Sequence, residues 1–149
     1  MIWRDCTRRP SLRVRGFGCR ITGPEGEVSR QRILFVCTAN VDRSRTAEDL
    51  YARDPRYEVL SAGTAAYART PVTREILLWA DRVFVMSERE DQHRTLIRIR
   101  FPDVDRPIVD LDVEDRWHRG DPELIARLAR RLRPHLGAPA RDRKGRTGA

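Results

Sequence analysis

Between residues 33 and 136, short apolar runs alternate with segments of helical pattern, and this alternation limits the possible folds more than any other feature of the sequence. Runs of strand length lie at 33–37, 57–63, 82–86 and 107–111. Helical patterns lie at 45–54, at 70–80 with Thr70 as the expected cap, from 88 towards Arg100, and after Asp121. Apolar strands that alternate with helices are typical of a parallel sheet covered on both faces. The sequence therefore predicts an α/β fold with a small four-stranded parallel sheet and helices on both faces.

The last helix has the clearest sequence pattern. Asp121 is a typical N-cap, Pro122 suits the first helical position, and Pro134 is expected to limit the helix. Apolar residues recur on one face of this helix at Leu124, Ile125, Leu128 and Leu132.

The basic charge of the chain is concentrated at its two ends. The net charge is +8, yet residues 33–136 carry equal numbers of acidic and basic side chains. Residues 1–32 and 137–149 are rich in Gly, Pro and Arg and have no sustained strand or helix period. We predict one folded domain at 33–136 between two basic, disordered arms, with no specific nucleic-acid partner.

The cysteine content indicates a reducing, cytoplasmic setting. Cys6, Cys19 and Cys37 lie at no metal-ligand spacing, so we predict no metal, no cofactor and no disulfide framework. No apolar run approaches the length of about 18 residues that a membrane-spanning helix needs, so no membrane association is expected.

The stretch that follows the first apolar run carries the chemistry. Five residues separate Cys37 from Arg43 and Ser44, and a helical pattern begins there. A loop of this length can surround one tetrahedral anion with backbone N–H groups at a helix N-terminus, which also favours a thiolate. The fork of the arginine side chain can bind two phosphate oxygens. Cys37 alone is better explained as a small buried hydrophobe that ends a strand, and only the whole arrangement favours a nucleophile.

Several ordered segments resemble the low-molecular-weight protein tyrosine phosphatases, and in particular a compact bacterial subgroup of that family. Residues 35–48 (FVCTANVDRSRTAE) resemble its phosphate-binding loop, 61–64 (SAGT) the segment beside that loop, and 79–88 (WADRVFVMSE) its third strand. The likeness extends over about residues 33–133.

This resemblance implies roles for the residues of the loop. It implies Cys37 as nucleophile, Arg43 as phosphate clamp, and Asn40 and Ser44 as supporting residues of the loop. The rest of the expected phosphate-binding loop is Thr38, Ala39, Val41 and Asp42.

The loop departs from the family pattern at three positions. Ala39 stands where the family usually has Gly, and Asp42 stands where it often has a second cysteine. Arg45 stands where the family usually has a Pro after the serine. A carboxylate aimed into an anion site would oppose phosphate binding. We therefore expect Asp42 to point outward, towards Arg45.

The family places its general acid on a loop after the fourth strand, where this chain offers two main candidates. Asp115 lies in the middle of that loop, two residues before Trp117, which resembles an aromatic residue that walls the substrate pocket. Asp121 precedes a proline, but its position is also explained by helix capping. We favour Asp115 as the acid, with Asp121 as the alternative, and Trp117 is equally explained as a half-buried surface residue. His93 is expected to be solvated or locally bonded and receives no catalytic role.

The sequence thus predicts a metal-free phosphomonoesterase, of the protein tyrosine phosphatase type, that forms a cysteinyl-phosphate intermediate. The expected substrate is a phosphorylated protein or a small aryl phosphate, and the oligomeric state is left open. The main alternative is a phosphate- or phosphoprotein-binding module of the same fold with weak or no activity. Protein arginine phosphatase and arsenate reductase rank lower, because Val41 favours an aryl substrate and no cysteine follows Cys37 for a redox relay.

Overall fold

The computed structural model describes residues 29–140, which form a four-stranded parallel sheet covered by helices. The strands are β1 (Gln31–Cys37), β2 (Tyr57–Gly63), β3 (Arg82–Val85) and β4 (Ile108–Asp110). The helices are α1 (Arg43–Tyr51), α2 (Arg74–Trp79), α3 (Glu88–Asp91), α4 (His93–Arg100) and α5 (Pro122–Leu136). Within the sheet the order is β2-β1-β3-β4, and every neighbouring pair is parallel. The predicted α/β class and sheet are confirmed.

The two faces of β1 belong to two separate hydrophobic layers. Ile33, Phe35 and Cys37 pack with the apolar faces of α1 and α5. Leu34 and Val36 point the other way and pack with residues of α2 and α4. Because successive side chains of a strand alternate between its faces, a strand with helices on both sides needs an unbroken apolar run. This explains the residues at 33–37 and places the end of β1 between two packed layers.

Several predicted boundaries of these elements were wrong by a few residues. The first strand begins at Gln31 rather than at residue 33, because its pairing with β2 extends back to Gln31, which lies opposite Tyr57. Helix α2 begins at Arg74, because the hydroxyl of Thr73 rather than Thr70 accepts the capping hydrogen bond from Ile76 N.

Two helices also differ from the pattern that the sequence predicts. The helix expected from residue 88 is divided into α3 and α4 at Gln92, whose φ of 54° is left-handed. Helix α5 is capped by Asp121 as predicted, but it continues through Pro134 to Leu136. The helix ends two residues after this proline, and Gly137 is its cap residue.

The predictions for the terminal arms fall largely outside the described residues. Disorder at 1–32 and 137–149 therefore stays a prediction, apart from Gln31 and Arg32, which belong to β1. Residues 138–140 follow the cap of α5 at Gly137. Between residues 29 and 140 no helix is long and apolar enough to cross a membrane.

Candidate active site

The loop of residues 38–42 leaves the carboxyl end of β1 and leads into α1. Strand β1 lies inside the sheet, with β2 on one side and β3 on the other. Its last residue, Cys37, is only 3% exposed. Ligands of parallel sheets usually bind at this end of the strands, where loops from neighbouring strands meet. The fold thus places Cys37 where a phosphate site is expected.

Backbone hydrogen bonds fix the first half of this loop against the segment that follows β2. Three amides of that segment donate to three successive loop carbonyls: Thr64 to Cys37 at 2.9 Å, Ala65 to Thr38 at 3.0 Å and Arg69 to Ala39 at 3.0 Å. A trans peptide group directs its C=O and its N–H to opposite sides. The N–H groups of Thr38, Ala39 and Asn40 are therefore turned away from this segment, and such a run of amides can bind an anion.

Gly63 makes this close approach possible. A Cβ atom at position 63 would lie 2.4 Å from the carbonyl oxygen of Thr38 and 2.6 Å from the Cβ of Ala68. Any larger residue would push the loop away from β2. The glycine of the SAGT segment is thus required by the contact between the two backbones.

Asn40 and Ser44 connect the loop to the sulfur of Cys37. Asn40 has a φ of 58°, a left-handed conformation that asparagine tolerates better than most residues. Its Nδ2 donates to Ser44 Oγ at 2.8 Å, and Ser44 Oγ lies 3.1 Å from Cys37 Sγ. Because Ser44 Oγ already accepts from Asn40, its own hydroxyl hydrogen is free to point to the sulfur. This arrangement suits a serine that stabilises a thiolate.

Arg43 is buried beside the loop, with only 2% of the residue exposed. Its Nη1 donates to Asp91 Oδ2 and to the carbonyl of Val113, both at 3.0 Å. Its Nη2 lies 3.6 Å from Asp115 Oδ2, which is too long for a hydrogen bond. Both hydrogens of Nη1 are thus used to hold the side chain, while Nε and Nη2 make no hydrogen bond within residues 29–140. These two nitrogens form the edge that matches a pair of phosphate oxygens.

His93 supports the same loop from the start of α4; of the two expectations, solvated or locally bonded, the structure shows a locally bonded ring. The ring is fully buried, and its Nδ1 accepts the amide hydrogen of Ser87 at 3.1 Å. The other ring nitrogen, Nε2, lies 2.9 Å from Thr38 Oγ1. Burial, reinforced by the positive charge of Arg43, lowers the pKa of His93 to about 4. The ring is therefore neutral near pH 7 with its hydrogen on Nε2, and it donates to Thr38.

The structure separates the two candidate acids. The carboxylate of Asp115 is 60% exposed and approaches the guanidinium of Arg43. Asp121 instead caps α5 and accepts the amide hydrogen of Glu123 at 2.8 Å. Only Asp115 is therefore brought next to Arg43, although its role as acid stays a prediction.

Trp117 is half-buried and packs against the hydrophobic layer that contains Cys37. Its Nε1 donates to Glu123 at 2.9 Å, and the guanidinium groups of Arg116 and Arg127 lie over its ring. This environment matches the interpretation of a half-buried surface tryptophan, and the pocket-wall role stays a prediction.

Asp42 does not point towards Arg45. Its Oδ1 accepts the amide hydrogen of Arg119 at 2.9 Å, in the loop between β4 and α5. Arg45 approaches Glu48 instead, at 3.7 Å. The carboxylate of Asp42 is thus bound to a neighbouring loop.

Val41 is the exposed residue of the loop, whereas Arg43 is held by partners that the sequence does not reveal. Val41, which follows the buried Asn40 in the loop, is 51% exposed. Sequence reasoning did not identify Asp91 or the carbonyl of Val113 as partners of Arg43. The sequence carries no sign of either contact, because Asp91 lies in a segment of alternating charges and a backbone carbonyl has no residue signature.

Comparisons with known proteins bear on the fold. The sequence matches no protein-family model and no curated protein. Among solved structures, it is similar to the YwlE arginine phosphatase from Geobacillus stearothermophilus, with 27% identity, a TM-score of 0.53, and coverage of 71% of this chain and 92% of that chain.

Two tyrosine phosphatases are similar in fold. One is the low molecular weight protein tyrosine phosphatase from T. tengcongensis, at 22% identity, a TM-score of 0.53, and coverage of 68% of this chain and 92% of that one. The other is the tyrosine phosphatase AmsI of Erwinia amylovora, at 20% identity, a TM-score of 0.55, and coverage of 76% and 95%.

Proposed function

The chain has the fold of the low-molecular-weight protein tyrosine phosphatases, and from this premise we propose that it is a phosphomonoesterase that forms a cysteinyl-phosphate intermediate. One observation supports the proposal above others: Ser44 Oγ lies 3.1 Å from Cys37 Sγ at the carboxyl end of β1. The approach of Asp115 Oδ2 to Arg43 Nη2, at 3.6 Å, adds support. A buried cysteine of purely structural role needs no hydroxyl at its sulfur.

In the first step, the thiolate of Cys37 attacks the phosphorus atom in line with the departing oxygen. The S–P bond forms while the bond from phosphorus to the ester oxygen breaks. Arg43 and the amides of the loop stabilise the negative charge of the transferring phosphoryl group. Asp115 donates its proton to the departing oxygen, so that an alcohol or phenol leaves.

In the second step, the carboxylate of Asp115 removes a proton from water, and the water oxygen attacks the phosphorus atom. The S–P bond breaks and inorganic phosphate forms. The sulfur departs as a thiolate, which the hydroxyl of Ser44 stabilises. No metal takes part in either step of this proposal.

The test is hydrolysis of p-nitrophenyl phosphate by the full chain. We expect turnover that vanadate inhibits and that Cys37→Ser reduces at least about 1,000-fold, because a serine hydroxyl at this site has no base to activate it. Asp115→Asn should lower kcat by about 100-fold or more, because the second step loses the base that activates water. Asp121→Asn is the matched control and should keep most of the turnover.

Retained turnover in Cys37→Ser would refute the cysteine mechanism. Binding of inorganic phosphate in calorimetry, with no turnover at any pH between about 5 and 8, would favour the non-catalytic binding module. If Asp121→Asn lost turnover and Asp115→Asn did not, Asp121 rather than Asp115 would be the general acid.

Phosphoarginine is the second candidate substrate, because the structure at 27% identity is that of an arginine phosphatase. The side chain of Val41 offers an apolar surface at the loop, which suits the flat ring of phosphotyrosine better than a guanidinium. We expect a higher kcat/KM for a phosphotyrosine peptide than for the matched phosphoarginine peptide. The reverse order would assign the enzyme to phosphoarginine.

A further inference from the structure

Three side chains on one side of α1 hold the loop between β4 and α5. Asp42, Thr46 and Asp49 lie at positions i, i+4 and i+7, which place them on the same helix face. Their partners are the two successive residues Arg119 and Gly120. The bonds are Arg119 N to Asp42 Oδ1 at 2.9 Å, Gly120 N to Thr46 Oγ1 at 3.1 Å, and Arg119 Nε and Nη2 to the two oxygens of Asp49, both at 2.9 Å.

The hydroxyl of Thr46 and the amide of Gly120 are the centre of these contacts. The hydroxyl of Thr46 donates to the carbonyl of Asp42 at 2.8 Å and accepts from Gly120, so both its donor and its acceptor are used. Gly120 has a φ of 82°, a left-handed conformation that suits glycine, and its amide donates to Thr46 in α1. The two backbone amides and the bidentate Arg119–Asp49 pair fix the far end of the loop.

The near end of the same loop is fixed by Val113. This residue is fully buried, its amide donates to Met86 O at 2.6 Å, and its carbonyl accepts from Arg43. Asp115 thus lies two residues after one anchor and four residues before the other. Its side chain is 60% exposed and its amide makes only a long contact of 3.4 Å with Glu90, so its own packing does not fix its position.

We propose that Asp42 is a positioning residue: by holding the amide of Arg119, it keeps Asp115 beside Arg43 and the departing oxygen of the substrate. This inference rests on the proposed phosphatase function. It also explains how an acidic residue fits within a loop that binds anions, because the carboxylate is bound to an amide of the neighbouring loop. A charged acceptor makes a stronger bond to an amide than a neutral one does, but asparagine at this position retains the acceptor.

The experiment compares two substrates in Asp42→Ala and Asp42→Asn. A nitrophenolate leaves readily without protonation, whereas an unsubstituted phenolate needs the acid. If Asp115 is displaced, kcat/KM for phenyl phosphate should fall at least ten-fold more than kcat/KM for p-nitrophenyl phosphate. We expect this selective loss in Asp42→Ala and its recovery to within about three-fold of the wild type in Asp42→Asn.

Glu48→Gln is the matched control on the same helix. It removes one negative charge from α1 but keeps an oxygen acceptor for Ser61, which Glu48 binds at 2.5 Å. In this control, the ratio of kcat/KM for phenyl phosphate to kcat/KM for p-nitrophenyl phosphate should equal that of the wild type. Equal losses for both substrates in Asp42→Ala, no loss, or a gain from removing a negative charge would each overturn the proposal.

A second measurement separates this inference from the proposed function. Hydrogen exchange of the Arg119 amide should be at least about ten-fold faster in Asp42→Ala than in Asp42→Asn, because only alanine removes the acceptor. This result does not depend on turnover. If the wild type hydrolyses no ester but exchange follows this order, the phosphatase function fails while the anchoring contact stands; equal exchange in both variants would overturn the anchoring itself.

Discussion

At the scale of single residues, the buried His93 has a clear electrostatic consequence. The ring is neutral because burial and the neighbouring Arg43 oppose its protonation, although the carboxylates of Asp91, Asp110 and Glu88 act in the opposite direction. Its two hydrogen bonds need different ring nitrogens, one as acceptor and one as donor. Protonation would remove the acceptor that binds the amide of Ser87.

We therefore predict that the free energy of unfolding depends on pH through His93. The unfolded chain binds a proton at this residue below a pKa of 6.5, whereas the folded chain does so only below about 4. Stability should thus fall as the pH falls from about 6.5 to 4, by on the order of 3 kcal/mol in total.

Urea denaturation at several pH values measures this effect. His93→Gln should make the free energy of unfolding depend less on pH between about 4 and 6.5. His118→Gln, at an exposed position, should leave this dependence unchanged. An unchanged dependence in His93→Gln would show that another group is responsible.

At the scale of the elements, the N-terminus of α5 explains why Asp121 resembles a catalytic acid in sequence. Its side chain accepts the amide hydrogen of Glu123, and Pro122 follows in the first turn. An Asp-Pro pair before a helix thus has a structural reason that is independent of chemistry.

The expected effect of Asp121→Ala is a loss of about 1 kcal/mol of stability, because one helix amide loses its partner. Turnover per folded molecule should change little. Thermal melting and steady-state kinetics on the same sample measure both quantities. A stable but inactive variant would contradict the assignment of Asp121 as a cap.

The elements also show which parts of the structure are predictable from sequence. The sheet is predictable, because a strand buried on both faces needs an apolar run and such runs are visible in the chain. The loop around Cys37 is predictable in outline, because Asn40, Arg43 and Ser44 are specific residue types at fixed spacing. The break at Gln92 is not, because glutamine has no strong preference for the left-handed conformation that divides α3 from α4.

That break determines what surrounds the site. In one continuous helix, Asp91 and His93 would be about 200° apart and would face opposite sides. With the break, Asp91 binds Arg43 while His93 binds Thr38, and the two side chains approach each other at 3.7 Å. These contacts depend on tertiary packing between α3, α4 and the loop, which the local sequence does not reveal.

At the scale of the whole described domain, the chain that follows α5 is tied back to the start of β2. The carboxylate of Asp54 accepts three hydrogen bonds from Arg56 and one from the amide of Ala140. Arg56 also donates to the carbonyl of Ala138 at 2.8 Å. The hydrogen bonds from Arg56 hold the pKa of Asp54 below its usual value.

Loss of this carboxylate should weaken the domain as a whole. Asp54→Ala is expected to lower the free energy of unfolding by about 2 kcal/mol near neutral pH, because it removes the buried charged acceptor to which Arg56 and the amide of Ala140 are bonded. The same contribution is present above the usual pKa of an aspartate and is lost as the pH falls through the lower pKa of the folded state.

Glu58→Ala is the control, since Glu58 and Arg32 form a surface pair at 3.9 Å with both side chains about half exposed. That change should cost less than about 0.5 kcal/mol. Chemical denaturation of both variants measures the difference. Similar losses in the two variants would show that Asp54 contributes no more than a surface charge.

The central place of β1 in the sheet has a further consequence. Cys37 ends a strand whose residues 33–37 are all buried, with a helix layer on each face and a strand on each side. The sulfur is therefore not exposed by fraying at an edge of the sheet, and in the folded protein it is open only to molecules that fit the phosphate site. Alkylating reagents larger than the phosphate site should therefore modify this thiol at the rate of global opening, and heat should abolish its protection in a single cooperative event.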